Sequence, residues 1–205
     1  LKDFRGVCVT DGYQVYHTLE KEREDLTIAG CWAHARRRYD EALKALPKAE
    51  QSKSLAYLAL KQIQAIYREE MKLQELEPDE RQRIRQVVIK PLVEAYFTWV
   101  RQNMGKVLQK SKTWNGFTYS LNQEKYLKVF LEDGEVPMDN NAAEQSIRSF
   151  CIGKKNWMFH NTANGASASA MVYSISETAK LDDLRPYYYF RYILTELPKR
   201  SDENG

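Results

Sequence analysis

The stretch RGVCVTDGYQVYHTLEKEREDLTIAGCWAHARRRYDEALKAL, Arg5–Leu46, decides the fold class. Val7 to Thr10 is a β-rich run halted by Asp11-Gly12, with Val7 and Val9 facing one way and Cys8 and Thr10 the other. YQVYHTLEKE reads as a short helix and LTIAGC, Leu26–Cys31, as a second, buried strand. Trp32, Ala35, Tyr39, Ala42 and Leu43 then recur at helical spacing. Strand, helix, strand, helix in this order predicts an α/β arrangement whose strands are parallel neighbours.

Downstream the character changes. Ala56, Ala59, Leu60, Ile63 and Tyr67 repeat along an amphipathic helix spanning about residues 52–75. Glu77-Pro78-Asp79 breaks it, and a second helix carries Ile84, Val88, Leu92, Ala95, Tyr96 and Trp99 on one face, with Pro91 expected to kink or divide it. A third helical stretch runs from about Asn122 to Glu132 and stops at Asp133-Gly134. Residues 47–136 therefore form an all-helical block between residues 1–46 and 137–200, with 201–205 as a frayed tail. Beyond Pro137 the pattern predicts a helix from Asn140 to about Cys151, a turn-rich passage with an extended NWMF, and two further helices. The first of these presents Met171, Ile175 and Thr178 along one side; the second follows Pro186.

At 205 residues, 43% hydrophobic and 29% charged, the chain has the composition of a soluble globular protein. A net charge of +3 does not by itself point to nucleic acid, so the distribution of charge must carry that argument. Three widely spaced cysteines without a C-x-x-C pair argue against a disulfide scaffold and for a reducing cytoplasm. Neither they nor the three histidines have zinc-ligand spacing. No apolar run reaches the ~20 residues of a membrane span.

Three features can carry chemistry. Asp11 ends a buried strand, and ligands bind at the carboxyl ends of parallel strands, although Asp-Gly is also an ordinary turn signal. Glu144 stands three residues after Asn141, which fits a capping box, yet Arg148 lies one turn further and Lys154, Lys155 and Trp157 extend a basic-aromatic run that a cap does not need. Arg36-Arg37-Arg38 is either a solvated face or a phosphate-contacting surface. Carboxylates from separate elements that converge at strand ends can hold two Mg²⁺ ions about 3.5–4 Å apart. Asp3 is a poor third acid, because it lies on the approach to Asp11's own strand.

VTDGYQVY (Val9–Tyr16), GCWAHARRRYDEALKA (Gly30–Ala45), the run Ser120–Phe159 containing PMDNNAAEQSIRSFCIGKKNWMF, and ASAMVYSISETAKLDDLRPYYYFRYIL (Ala168–Leu194) together resemble the DDE transposases of bacterial insertion sequences, most closely the insertion sequence sixty-six family. The resemblance implies a partial RNase H-like core interrupted by a large all-α insertion, which the block 47–136 matches in position. It also implies Asp11 and Glu144 as the second and third acids of a catalytic triad holding two Mg²⁺ or Mn²⁺ ions. Asn140 and Asn141 would shape the helix start, and Arg36, Arg37, Arg38, Arg148, Lys154, Lys155, Asn156 and Trp157 would touch DNA. The implied protein is a cytoplasmic, homo-oligomeric enzyme that cuts transposon ends and joins their 3′-hydroxyl to target DNA. The family's first Asp has no counterpart in this chain, so the isolated fragment is expected to be inactive. Gln145 stands where an Arg often follows the Glu. The alternatives are a truncated remnant that only binds DNA or a partner, and another RNase H-like nuclease such as a resolvase.

Overall fold

The structure is a computed structural model and describes residues 4–157 and 160–201. It is helix-dominated. Its elements are β1 (Gly6–Thr10), α1 (Gln14–Glu22), β2 (Leu26–Gly30), α2 (Trp32–Lys44), α3 (Lys48–Gln51), α4 (Leu55–Met71), α5 (Pro78–Ile84), α6 (Lys90–Asn103), α7 (Lys112–Asn122), α8 (Glu124–Leu127), α9 (Asn141–Trp157), α10 (Ala163–Leu181) and α11 (Pro186–Ser201). They form two compact units that part between Asn140 and Asn141.

In the first unit β1 pairs with β2 in parallel, Gly6 opposite Leu26 through Thr10 opposite Gly30, as the alternating sequence predicts. Cys31 N–H donates to the Thr10 carbonyl at 3.0 Å and extends the ladder one step. Both segments of the sequence share one core here. Ala29 and Trp32, Ala35, Tyr39 and Ala42 of α2 pack with Ala56, Ala59 and Ile63 of α4 and with Tyr96 and Phe97 of α6. Trp32 is fully buried among Tyr96, Phe97 and Phe130, with ring centroids 5.6 to 6.3 Å apart, and its Nε1 donates to the Leu127 carbonyl at 2.8 Å. Such aromatic pairs contribute about 0.5–1.5 kcal/mol each beyond their buried area. Between α2, α6 and α7 the hydroxyls of Tyr39, Tyr96 and Ser120 lie within 2.7–3.0 Å of one another. Burial pushes the Tyr39 phenol up to about 12 and that of Tyr96 well above its ordinary value, so both remain protonated.

Three sequence expectations are corrected. The helix expected across 84–99 is divided as Pro91 foretold, but by a π-helical turn at Arg85–Ile89, whose extra residue rotates the downstream stripe. Arg85, Ile89, Val93, Tyr96, Phe97 and Val100 are buried, whereas Val88 and Ala95 face outward. The stretch expected at 122–132 is two shorter turns, α8 and a 3₁₀ turn at Val129–Leu131, preceded by the unforeseen α7, which Ser111 caps by accepting the Trp114 N–H at 3.1 Å. Finally, α9 continues to Trp157, so Asn156 and Trp157 are helical rather than extended; Met158 and Phe159 lie outside the described residues.

The second unit consists of α9, α10 and α11. Thr162 caps α10 by accepting the Gly165 N–H at 3.0 Å, and Phe150 of α9 meets Tyr173 of α10 edge to face at 5.2 Å. Met171, Ile175 and Thr178 share a side of α10, but the fully buried position of that helix is Ala179. Among the described residues no helix is long and apolar enough to cross a membrane.

His17 of α1 gives a pH-dependent stability. Its ring is 6% exposed and lies 4.0 Å from that of Tyr126. Burial lowers its pKa below the usual imidazole value, with Glu20 opposing the shift. The unfolded chain then binds the proton more readily, so this contribution is complete above the unfolded-state value of about 6.5 and is lost as pH falls through the lower folded value. Urea midpoints measured between about pH 7.5 and pH 5 are expected to decline, and His17→Phe is expected to flatten the decline. An unchanged slope in the variant would assign the effect elsewhere.

Candidate functional site

Asp11 stands immediately beyond β1, at the carboxyl end of the parallel pair, and is exposed. Its Oδ1 accepts the Tyr13 N–H at 3.0 Å, a turn that fixes the carboxylate while Oδ2 has no protein donor among the described residues. Gly12 makes the turn possible, with φ +83° and the Gln123 side chain so near that a Cβ would lie 3.0 Å from it. The Asp11 carbonyl accepts from Tyr119 Oη of α7 at 3.0 Å. Arg38 lies over the Tyr119 ring at 5.1 Å. Burial, foremost, pushes the Tyr119 phenol up to about 12, which keeps it a donor at neutral pH.

Arg36, Arg37 and Arg38 are all exposed, but successive helical positions point about 100° apart, so they do not form a single row. Arg38 flanks α7 through Tyr119. Burial, foremost, and Asp139 push the Tyr67 phenol well above its ordinary value, with the Arg36 charge opposing them.

The segment leading into α9 is tied down residue by residue. The Met138 carbonyl accepts the Trp32 N–H at 3.1 Å, Asp139 Oδ2 accepts from Tyr67 Oη at 3.0 Å, and Asn140 N–H donates to the buried Cys31 Sγ at 3.3 Å. Burial raises the Cys31 thiol pKa, so it stays a neutral acceptor. This segment is thus held at the end of β2, next in the sheet to the strand that carries Asp11. A cleft of about 250 Å³ opens beside Asp139, lined by Tyr67, Glu70, Arg81 and Arg85.

In the second unit α9 begins at Asn141. Glu144 is half-buried in the first turn, where the helix dipole favours a carboxylate, and Arg148 follows one turn on, exposed. Lys154, Lys155, Asn156 and Trp157 lie on the last turn, and their side chains fall outside the described residues. Asp3 does as well. Asp11 and Arg38 meet through Tyr119 in the first unit; Glu144 and Arg148 share a helix in the second. Among the described residues no three His, Cys, Asp or Glu side chains converge on one point.

Sequence reasoning missed Tyr119, Gln123, Tyr67 and Cys31 as neighbours of the site. The one signal available was position, because Asp139 directly precedes the double Asn.

The family model described as Transposase IS66 family matches residues 1–168. Three proteins of Sinorhizobium fredii (strain NBRC 101917 / NGR234), named uncharacterized proteins y4qI, y4hP and y4jD, are 30%, 27% and 28% identical over 96%, 96% and 98% of this chain. The chain spans 37% to 39% of the length of these relatives. No solved structure matches it.

Proposed function

Since the chain belongs to the transposase IS66 family, we propose that it is the part of an RNase H-like, DDE-type transposase that carries two of three catalytic acids, Asp11 and Glu144. The observation that carries the reading is the exposed Asp11 at the end of a parallel strand, its carboxylate fixed by the Tyr13 N–H and its backbone carbonyl by Tyr119 Oη.

In donor chemistry the residues fit Mg²⁺ or Mn²⁺, since Asp11 and Glu144 offer hard carboxylate oxygens. These two would hold the ions, which supply activation of the attacking hydroxyl and neutralisation of charge at the phosphate. The chain's own residues do the rest. The Tyr13 N–H orients the Asp11 carboxylate, and the first turn of α9 presents Glu144 with its charge favoured by the helix dipole. Arg36, Arg37, Arg38, Arg148, Lys154, Lys155, Asn156 and Trp157 engage phosphates, with Asn140 and Asn141 shaping the helix start. In the full-length protein, a cytoplasmic homo-oligomer with DNA as substrate, the cut 3′-hydroxyl attacks the target phosphate and displaces a sugar oxygen.

The test is strand transfer by the full-length protein with labelled element ends and Mg²⁺. Joined product is expected; cleavage of branched DNA without joining would make the protein a resolvase, and binding without either would make it a DNA-binding remnant. Complex formation with duplex DNA is expected to weaken with salt, log affinity falling by about 0.9 per phosphate contact per decade of salt. Arg38→Gln should reduce that slope by about one contact. A salt-independent complex would remove the arginines from the interface.

A further inference from the structure

We propose that Tyr119 and Tyr67 of the helical block are positioning residues for the two acids, one bracing the turn that carries Asp11 and the other bracing the segment that leads into the helix of Glu144. The inference rests on the assignment of Asp11 and Glu144 made above and extends it to the role of residues 47–136.

Neither hydroxyl is needed to fill space, because phenylalanine would occupy the same volume in both places. Each makes one directed contact to a residue far away in sequence. Tyr119 Oη donates to the Asp11 carbonyl at 3.0 Å, just past the last ladder bond from Cys31 N–H to Thr10. At that point the sheet no longer holds the backbone, and the side-chain turn to Tyr13 fixes one half of the residue while Tyr119 fixes the other. Tyr67 Oη donates to Asp139 Oδ2 at 3.0 Å. It completes a set in which Met138, Asp139 and Asn140 are each tied to a different element: the start of α2, α4 and the end of β2.

Tyr119 and Tyr67 belong to α7 and α4, both of which pack against α2, and Arg38 of α2 lies over the Tyr119 ring. The helical block thereby reaches Asp11 itself and the segment that precedes α9 through two side-chain hydroxyls. A shift of about 1 Å in a reacting group can cost about 10²-fold in rate, so two such braces have room to matter.

The experiment compares Tyr119→Phe, Tyr67→Phe and the wild type in the full-length protein, by strand-transfer kinetics and by amide hydrogen exchange. Each variant is expected to lower the rate at saturating DNA by about tenfold, the size of one lost hydrogen bond, with the KM for DNA unchanged and the thermal midpoint lowered by no more than a few degrees. Exchange should separate them. The Tyr13 amide is expected to speed up in Tyr119→Phe and the Asn140 amide in Tyr67→Phe, without crossover.

Wild-type exchange at both amides, or an acceleration spread uniformly over the amides of the first unit, would overturn the braces and leave tyrosines that only stabilise the fold. Wild-type rates in both variants, with Asp11→Asn inactive, would overturn them while leaving the acids in place. If Asp11→Asn transfers strands normally, the acid assignment falls instead, and the two amides still decide whether the hydroxyls fix the backbone.

Discussion

Asp11→Asn in the full-length protein is expected to lower strand transfer by about 10³-fold or more, since a metal-holding carboxylate is worth several kcal/mol of transition-state stabilisation at about 1.4 kcal/mol per decade. The fold should not notice. The Asn side-chain oxygen can still accept the Tyr13 N–H that Asp11 Oδ1 now accepts, and the backbone carbonyl keeps its bond from Tyr119. Glu144→Gln is expected to behave alike, with the same size and the same shape. If the two acids act as one unit, the double variant will be no slower than the slower single one, because effects within a catalytic unit do not add. Thermal midpoints close to wild type must accompany the loss. Normal transfer by Asp11→Asn would remove it from the reaction outright.

The largest stability effect is expected from Arg85→Met. Arg85 is 1% exposed, paired with Glu70, and its Nη1 donates to the carbonyls of Phe130, Asp133 and Val136 at 2.7, 2.7 and 3.0 Å. One guanidinium thus gathers the loop that precedes the double Asn. Methionine fills the volume but strands the Glu70 carboxylate and the carbonyls of Phe130 and Val136, Asp133 keeping the Val136 N–H at 3.3 Å, and breaking a buried pair from one side costs about 3–5 kcal/mol. Domains of this size are stable by about 5–15 kcal/mol, so the variant should show a much lower urea midpoint. Arg85→Lys, which keeps the charge but loses the fork, should fall between the two. A loss below about 1 kcal/mol would mean that the loop is held by other contacts, such as Arg81 Nη1 on the Gly134 carbonyl at 2.9 Å.

How much of this the sequence disclosed depended on how local each cause was. Strands β1 and β2 were legible because alternation and apolar runs report local geometry, and α2 and α4 because their stripes are uninterrupted. Helix α7 was not, since KTWNGFTYSLN mixes Gly, Asn and Thr, which are weak helix formers, and its one local signal was the Ser111 cap. The face of α6 was misread for a single reason: periodicity cannot reveal an extra residue in a π turn. Arg85 was invisible because a charged residue is taken as solvent-facing until its partners are known. Likewise the continuation of α9 past Cys151 was hidden by Gly153, a weak helix former. Asp11 could be suspected from its place at a strand end and Glu144 from its motif. Tyr119 and Tyr67 could not, because their contacts bridge 108 and 72 residues.

The buried hydroxyls of Tyr39, Tyr96 and Ser120 have a consequence in proton arithmetic. Ser120 gives its proton to the Gly116 carbonyl at 2.9 Å, so within the cluster it can only accept. Two phenolic protons then remain for three close oxygen pairs. Either both tyrosines point at Ser120, or one points at the other while the second serves the serine. Each of these arrangements leaves one oxygen pair without a proton, and none requires a heavy atom to move. The junction of three helices is therefore spatially fixed yet degenerate in its protons, an interior that keeps some entropy where a hydrocarbon core would have none.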